Sequence, residues 1–193
     1  MTAAQSFPLM TVDEYLAFEE SAEVRHEYVG GYVYAMAGAR TGHNRIVASA
    51  LRHLGNLLEG STCEPLGSDV KVRIRLPTHS RLYYPDAMVV CGADDPAAVY
   101  QDAPVVLVEV LSDSTRRTDE GEKREAYLTI PSLAAYLLVE PERPAVCVYR
   151  RGEAGFAAEQ YTGLDAVIPL TEIDAELPLA SLYERVEFPP PAG

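Results

Sequence analysis

The most apolar run in the chain, Pro104 to Leu111, carries a glutamate inside it. Val105-Val106-Leu107-Val108 reads as a strand buried on both faces, the pattern of a central strand in an α/β sheet. Such a strand needs a layer on each side, so the sequence predicts a mixed sheet flanked by helices. Glu109 then stands between Val108 and Val110-Leu111. An ionised carboxylate in a desolvated strand costs several kcal/mol unless a partner or a cation offsets it. Two readings follow: a strand-end acid that is salt-bridged or solvated, or an acid that the strand delivers to a site.

The rest of the chain supplies the layers. Thr11 and Glu14 have capping-box spacing and open a short helix with Val12, Tyr15 and Leu16. Two β-prone runs, 25–29 and 32–36, flank Gly30-Gly31 and predict a hairpin. From Asn44 to Leu58 the apolar residues Ile46, Val47, Ala50, Leu51, Leu54, Leu57 and Leu58 fall at three-and-four spacing, an amphipathic helix that Gly60 ends. Strands are expected at about 69–76, 82–91 and 104–111, a helix at 119–129 before Pro131, and strands at 135–139 and 145–150. A weaker hairpin near 155–161 and a short element at 179–186 complete the order. No repeat or linker divides the chain, so residues 1–193 read as one domain with a core of about 10–186 and a tail at 187–193.

Asp86 is the expected partner of Glu109. It follows Pro85 inside the apolar stretch Leu82 to Val90, where a proline interrupts strand pairing at a strand start or bulge. Pro-Asp also simply opens turns. Two converging carboxylates would suit Mg2+ or Mn2+, which prefers oxygen ligands and keeps room for water and phosphate. Lys123 would orient water or stabilise negative charge on phosphorus. The same lysine is also the second half of an i,i+4 pair with Asp119, ordinary on a solvated helix face. The chain has only two lysines, Lys71 and Lys123. Lys71, Arg73 and Arg75 alternate along one strand face, and Arg116 and Arg117 lie between Glu109 and Lys123. Either set would hold phosphates, or lie on a solvated face or loop.

Charge argues the other way. With 16 basic against 29 acidic residues the net charge is −13, which disfavours broad attraction to a polyanion but not a local cation-mediated hold on phosphate. No apolar run approaches the roughly 20 residues of a membrane span, and no secretory signal is visible. Cys63, Cys91 and Cys147 have neither disulfide-framework nor zinc spacing, and a reducing cytoplasm is expected.

In this order and at these distances, Glu27-Tyr28-Val29-Gly30-Gly31, Tyr84-Pro85-Asp86, Val108-Glu109-Val110-Leu111-Ser112, Asp119 through Lys123 to Tyr127, and Pro131 to Val139 resemble the PD-(D/E)xK nuclease superfamily. More closely they resemble its Uma-two group of predicted endonucleases, over about residues 10–186. The resemblance implies a restriction-endonuclease-like fold and a Mg2+- or Mn2+-dependent DNA endonuclease; a homodimer is expected, because a single small domain cutting duplex DNA would need two sites. It implies Asp86 and Glu109 as metal ligands, Glu27 as an auxiliary ligand, and His43 as a contact to substrate or metal-bound water. Glu27 also reads as a surface hairpin acid and His43 as a helix cap; His26, His53 and His79 read as structural or exposed. The superfamily lysine two residues after the glutamate is replaced by Leu111; the Uma-two group draws its lysine from the following helix, which points to Lys123. The alternatives are a catalytically inactive nuclease-fold module for dimerisation or regulation, and a hydrolase of small phosphodiesters.

Overall fold

The computed structural model describes residues 9–92 and 95–188; most of the expected tail lies outside them. A capping box on Thr11 opens α1 (Val12–Glu20) as expected: Thr11 Oγ1 accepts from the Glu14 amide, and the Glu14 carboxylate receives the Thr11 amide at 2.7 Å. The hairpin β1 (His26–Val29) and β2 (Tyr32–Ala35) turns on Gly30 and Gly31, both at positive φ (56° and 103°). Only a two-residue loop of that kind matches the strand twist, which is why two glycines stand there.

The amphipathic helix is α2 (Thr41–Leu57), starting three residues before the expected Asn44. Beyond it lie β3 (Cys63–Gly67), β4 (Lys71–Arg75), β5 (Ser80–Tyr83), β6 (Ala87–Cys91), β7 (Tyr100–Gln101) and β8 (Val106–Val110). A helical segment of three pieces follows: α3 (Arg116–Thr118), a π turn (Asp119–Lys123) and α4 (Arg124–Tyr127). The chain ends in β9 (Ala135–Val139), β10 (Ala145–Gly152), β11 (Gly155–Thr162), β12 (Val167–Leu170), β13 (Ala175–Pro178) and α5 (Leu179–Leu182).

Six strands form the central sheet in the order β11-β10-β9-β8-β6-β3, with β8 and β9 parallel and joined through the helical segment. A second sheet runs β2-β1-β5-β4-β7. Alternate residues of β8 and β9 feed two cores. Val106, Val108, Val110, Leu137 and Val139 pack under α2, α5 and β12–β13. Leu107, Tyr136 and Leu138 pack against Tyr127, Ala126 and the Val72, Ile74 and Tyr83 side chains of the second sheet. The double burial expected of β8 is therefore met, each fully buried aliphatic side chain contributing about 1.5–3 kcal/mol.

Four expectations need correction. The 82–91 strand is two strands in different sheets, because Pro85 has no N–H for a ladder and the chain crosses between sheets at Tyr84-Pro85-Asp86. The expected hairpin near 155–161 is one long strand, β11, paired with β10. The smooth helix over 119–129 begins at Arg116 and contains the π turn. Finally, Cys63 and Cys91 form a disulfide: antiparallel register places them directly opposite on β3 and β6, Cα atoms 3.9 Å apart, despite their separation of 28 in sequence. Among the described residues, no helix is long and apolar enough to cross a membrane.

A carboxylate cleft around one buried lysine

Three structural layers deliver acids to one place. β8 carries Glu109 toward the second sheet, on the same side as Leu107. β1 carries Glu27, and the sheet-to-sheet crossing carries Asp86. The π turn presents Asp119 and Lys123, both buried rather than on a solvated face; such turns interrupt helices mostly where function needs them. Lys123 Nζ lies 2.8 Å from Glu27 Oε1, 3.3 Å from Glu109 Oε1 and 3.6 Å from Asp119 Oδ1, with its side chain 6% exposed. Tyr127 donates to Glu109 Oε1 at 3.2 Å, and Tyr136 donates to the Asp119 carbonyl at 3.2 Å.

Asp86 is bound differently. Its Oδ2 accepts the Val110 amide at 2.7 Å, next in chain to Glu109, and meets His43 Nε2 at 3.2 Å. His43 is no helix cap: the N-cap of α2 is Arg40, which makes no side-chain capping bond. Asp86, Glu109, Asp119, Lys123 and His43 all line one cleft of about 980 Å3.

The electrostatics are lopsided. Four carboxylates face one ammonium and one imidazole. Burial holds the Glu109 carboxyl well above the usual carboxylate range; Lys123 opposes this, while Asp86, Asp119 and Glu27 reinforce it. Burial likewise raises Asp119, against Lys123. Burial alone would lower Lys123, but Glu109, Glu27 and Asp119 outweigh it and drive the ammonium up. His43 is raised because the Asp86 hydrogen bond and charge overcome its burial.

Does this set suit a divalent cation? Among the described residues no three His, Cys, Asp or Glu side chains converge closely enough to hold a metal ion as they stand, since Asp86 turns to His43 while Glu27 and Glu109 turn to Lys123. The donor chemistry fits all the same. The oxygens are hard, the negative charge is in excess, and the buried Asp119 Oδ1, among the described residues, has no hydrogen-bond partner and only the Lys123 ammonium at 3.6 Å.

The expected phosphate contacts are dispersed. Arg116 makes a two-pronged bond to Glu140 at 2.8 and 2.7 Å and also meets Glu120. Arg73 and Arg75 share Asp102 away from the cleft, and Lys71 is buried with its Nζ 5.0 Å from the Tyr84 ring. Arg117 is exposed and, among the described residues, joins no ion pair. The cleft's own cations besides Lys123 are Arg25 and Arg40, which sequence reasoning passed over. It also passed over Asp119 and Tyr127 as site residues, although Asp119, Lys123 and Tyr127 recur every four residues.

A family model described as "Uma2: Putative restriction endonuclease" matches residues 12–180. The chain belongs to that family. Two Synechocystis proteins, both described only as uncharacterized, are similar to it: one is 34% identical over 77% of this chain and 78% of its own length, the other 31% identical over 72% and 80%. The Uma2 fold recurs in a crystal structure described as "a putative nuclease" from Anabaena variabilis, with a TM-score of 0.72 at 18% identity, covering 91% of this chain and 98% of that one.

The Arg116–Glu140 pair braces the helical segment of this Uma2 chain against the end of β9. The Arg116 guanidinium holds the Glu140 carboxyl below its usual 4.5. A lowered acid contributes stability that is present above its unfolded value and lost as pH falls through its folded value. Urea unfolding from neutral pH to below 4.5 should therefore show a flatter acid decline in Glu140→Gln than in wild type.

Proposed function

We propose that this Uma2 chain is a Mg2+- or Mn2+-dependent endonuclease that hydrolyses phosphodiester bonds in DNA. The observation that carries the reading is the lysine inside the domain: Lys123 shares one open cleft with Asp86 and is ringed by Glu27, Glu109 and Asp119. A structural ion pair needs one acid; an excess of buried acids beside a cleft suits a site that takes up a cation.

Asp86, Glu109 and Glu27 would hold the ion, which lowers the pKa of a bound water and offsets charge on phosphorus. Lys123 places an ammonium where negative charge develops, in a desolvated setting that strengthens it. His43 and the Val110 amide fix the Asp86 carboxylate in orientation. Arg25 and Arg40 lie on the cleft wall, paired with the exposed acids Asp69 and Asp113, and would exchange those partners for the phosphates on either side, in keeping with an overall acidic chain whose hold on DNA would be local. Attack on phosphorus releases the 3′ oxygen, and cutting both strands of a duplex would take two copies, so we propose a homodimer.

The spread of the carboxylates, with no three drawn together, favours a second reading, a catalytically inactive nuclease-fold module. One assay separates them. Wild type should cleave plasmid or oligonucleotide DNA only with Mg2+ or Mn2+, and Asp86→Ala should lose at least about 100-fold of that rate. Equal rates in the two proteins, or none in either, overturn the endonuclease reading; inhibition by small nucleotides would point to small phosphodiesters instead.

A further inference from the structure

Outside the cleft, a second buried polar network centres on Glu19, in the last turn of α1, with its side chain 5% exposed. Glu19 Oε1 accepts two hydrogen bonds, from the His26 backbone amide at 2.8 Å and from the Tyr84 hydroxyl at 2.8 Å. Its other oxygen faces His26 Nδ1 at 3.0 Å. The His26 carbonyl is held as well, by the Tyr15 hydroxyl at 2.5 Å. The peptide groups of His26 are thus fixed at N and O, immediately before Glu27. Tyr84 is fixed two residues before Asp86, at the proline crossing between the two sheets.

One carboxylate therefore ties together the two segments that bring Glu27 and Asp86 to the site, segments far apart in sequence, and the Tyr15 hydroxyl backs it by bonding the His26 carbonyl beside it. We infer that Glu19 is a positioning residue: acting through His26 and Tyr84, it sets Glu27 against Lys123 and Asp86 against the cleft. The inference rests on the proposed metal-dependent reading for its consequence, and on the hydrogen bonds alone for its geometry. Outer residues that orient metal ligands typically change metal affinity by about 10- to 100-fold when lost.

The variants are Glu19→Ala, Glu19→Gln and Tyr84→Phe, with Glu109→Gln as the ligand control. Glu19→Gln keeps the oxygen that serves both His26 and Tyr84, so it should behave as wild type. Tyr84→Phe removes a single hydroxyl and keeps the fold testable if Glu19→Ala does not fold. Two quantities are read on folded protein. Mn2+ affinity by titration calorimetry should weaken about tenfold or more in Tyr84→Phe and Glu19→Ala. Acylation of Lys123 by an amine-reactive ester, followed by peptide mass spectrometry, needs no metal and is clean because the chain has two lysines. Release of Glu27 should uncover the Lys123 amine and speed its reaction about tenfold, with the wild-type rate restored in Glu19→Gln. A lower melting temperature with unchanged acylation, or with unchanged Mn2+ affinity, overturns the inference and leaves Glu19 a purely structural tie. Wild type that ignores Mn2+ as fully as Glu109→Gln does counts against the nuclease reading itself, and the acylation rates then decide the clamp.

Discussion

Replacing Lys123 with methionine should destabilise the protein by about 3–5 kcal/mol near neutral pH, the usual cost of stripping one partner from a buried charge cluster. For a chain of this length that is on the order of 10 °C in melting temperature. Methionine fills a similar volume, so packing loss does not explain the effect. What remains is Glu27, Glu109 and Asp119 facing one another without their shared cation. The sign with pH follows from the shifts. Burial already holds Glu109 and Asp119 above their usual 4.5 and 3.8, and Lys123 is what pulls them back. An acid raised in the folded state destabilises it at pH above the unfolded value, and the penalty disappears as pH falls through the folded value. The deficit of Lys123→Met should accordingly shrink as unfolding is measured from pH 8 toward pH 5, whereas Arg117→Met, on an exposed side chain, should stay within about 0.5 kcal/mol throughout. A Lys123→Met deficit below about 1 kcal/mol would match a solvated i,i+4 pair and contradict the cage.

That experiment also addresses a place where spacing alone was silent. Asp119 and Lys123 sit four residues apart in either reading, and what buries them is the π turn's place between the two sheets, with Glu109 and Tyr136 on one side and Glu27 on the other. Glu109 was legible because an acid in an apolar strand is an anomaly that few arrangements resolve. The acid Asp102 that neutralises Arg73 and Arg75 was not legible: those arginines do share a face, but the carboxylate opposite them lies 29 and 27 residues away.

The fold divides the same way. β8, β9, the Gly30-Gly31 hairpin and α2 carry strong periodicity or turn chemistry, and the structure has them within a few residues. β3 contains Pro65 and Gly67 and holds its place at the sheet edge through pairing with β6, so no local pattern announces it. The disulfide depends on that same pairing, since Cys63 and Cys91 meet only because the register of β3 and β6 aligns them. β12 and β13 are only four residues each, too short for their alternation to stand out in sequence, although Ile168, Leu170 and Leu177 reach the core. In each case the missing information is a partner strand rather than a residue preference.

Glu109→Gln should separate stability from chemistry, because the two make opposite demands on that side chain. In the absence of metal the folded protein holds a carboxylate whose charge burial disfavours. A neutral isostere keeps an acceptor for Tyr127 and Lys123 while removing one of four mutually repelling acids, and Lys123 retains Glu27 and Asp119. Metal-free stability should therefore be equal to wild type or higher by about 1 kcal/mol. With Mn2+ at about 100 times its dissociation constant, wild type should gain about 2.7 kcal/mol, or roughly 5–10 °C, and the variant almost nothing. The unfolding curves should cross between the two conditions. Cleavage should fall about a thousandfold, since a metal ion's charge stabilisation amounts to several kcal/mol and each 1.36 kcal/mol is a factor of ten. A less stable variant that still shifts fully with Mn2+ would make Glu109 a structural acid, anchored by Lys123 and Tyr127 for the fold alone. The ordering of the metal-free melting temperatures decides between these, because a purely structural acid cannot be removed at a gain.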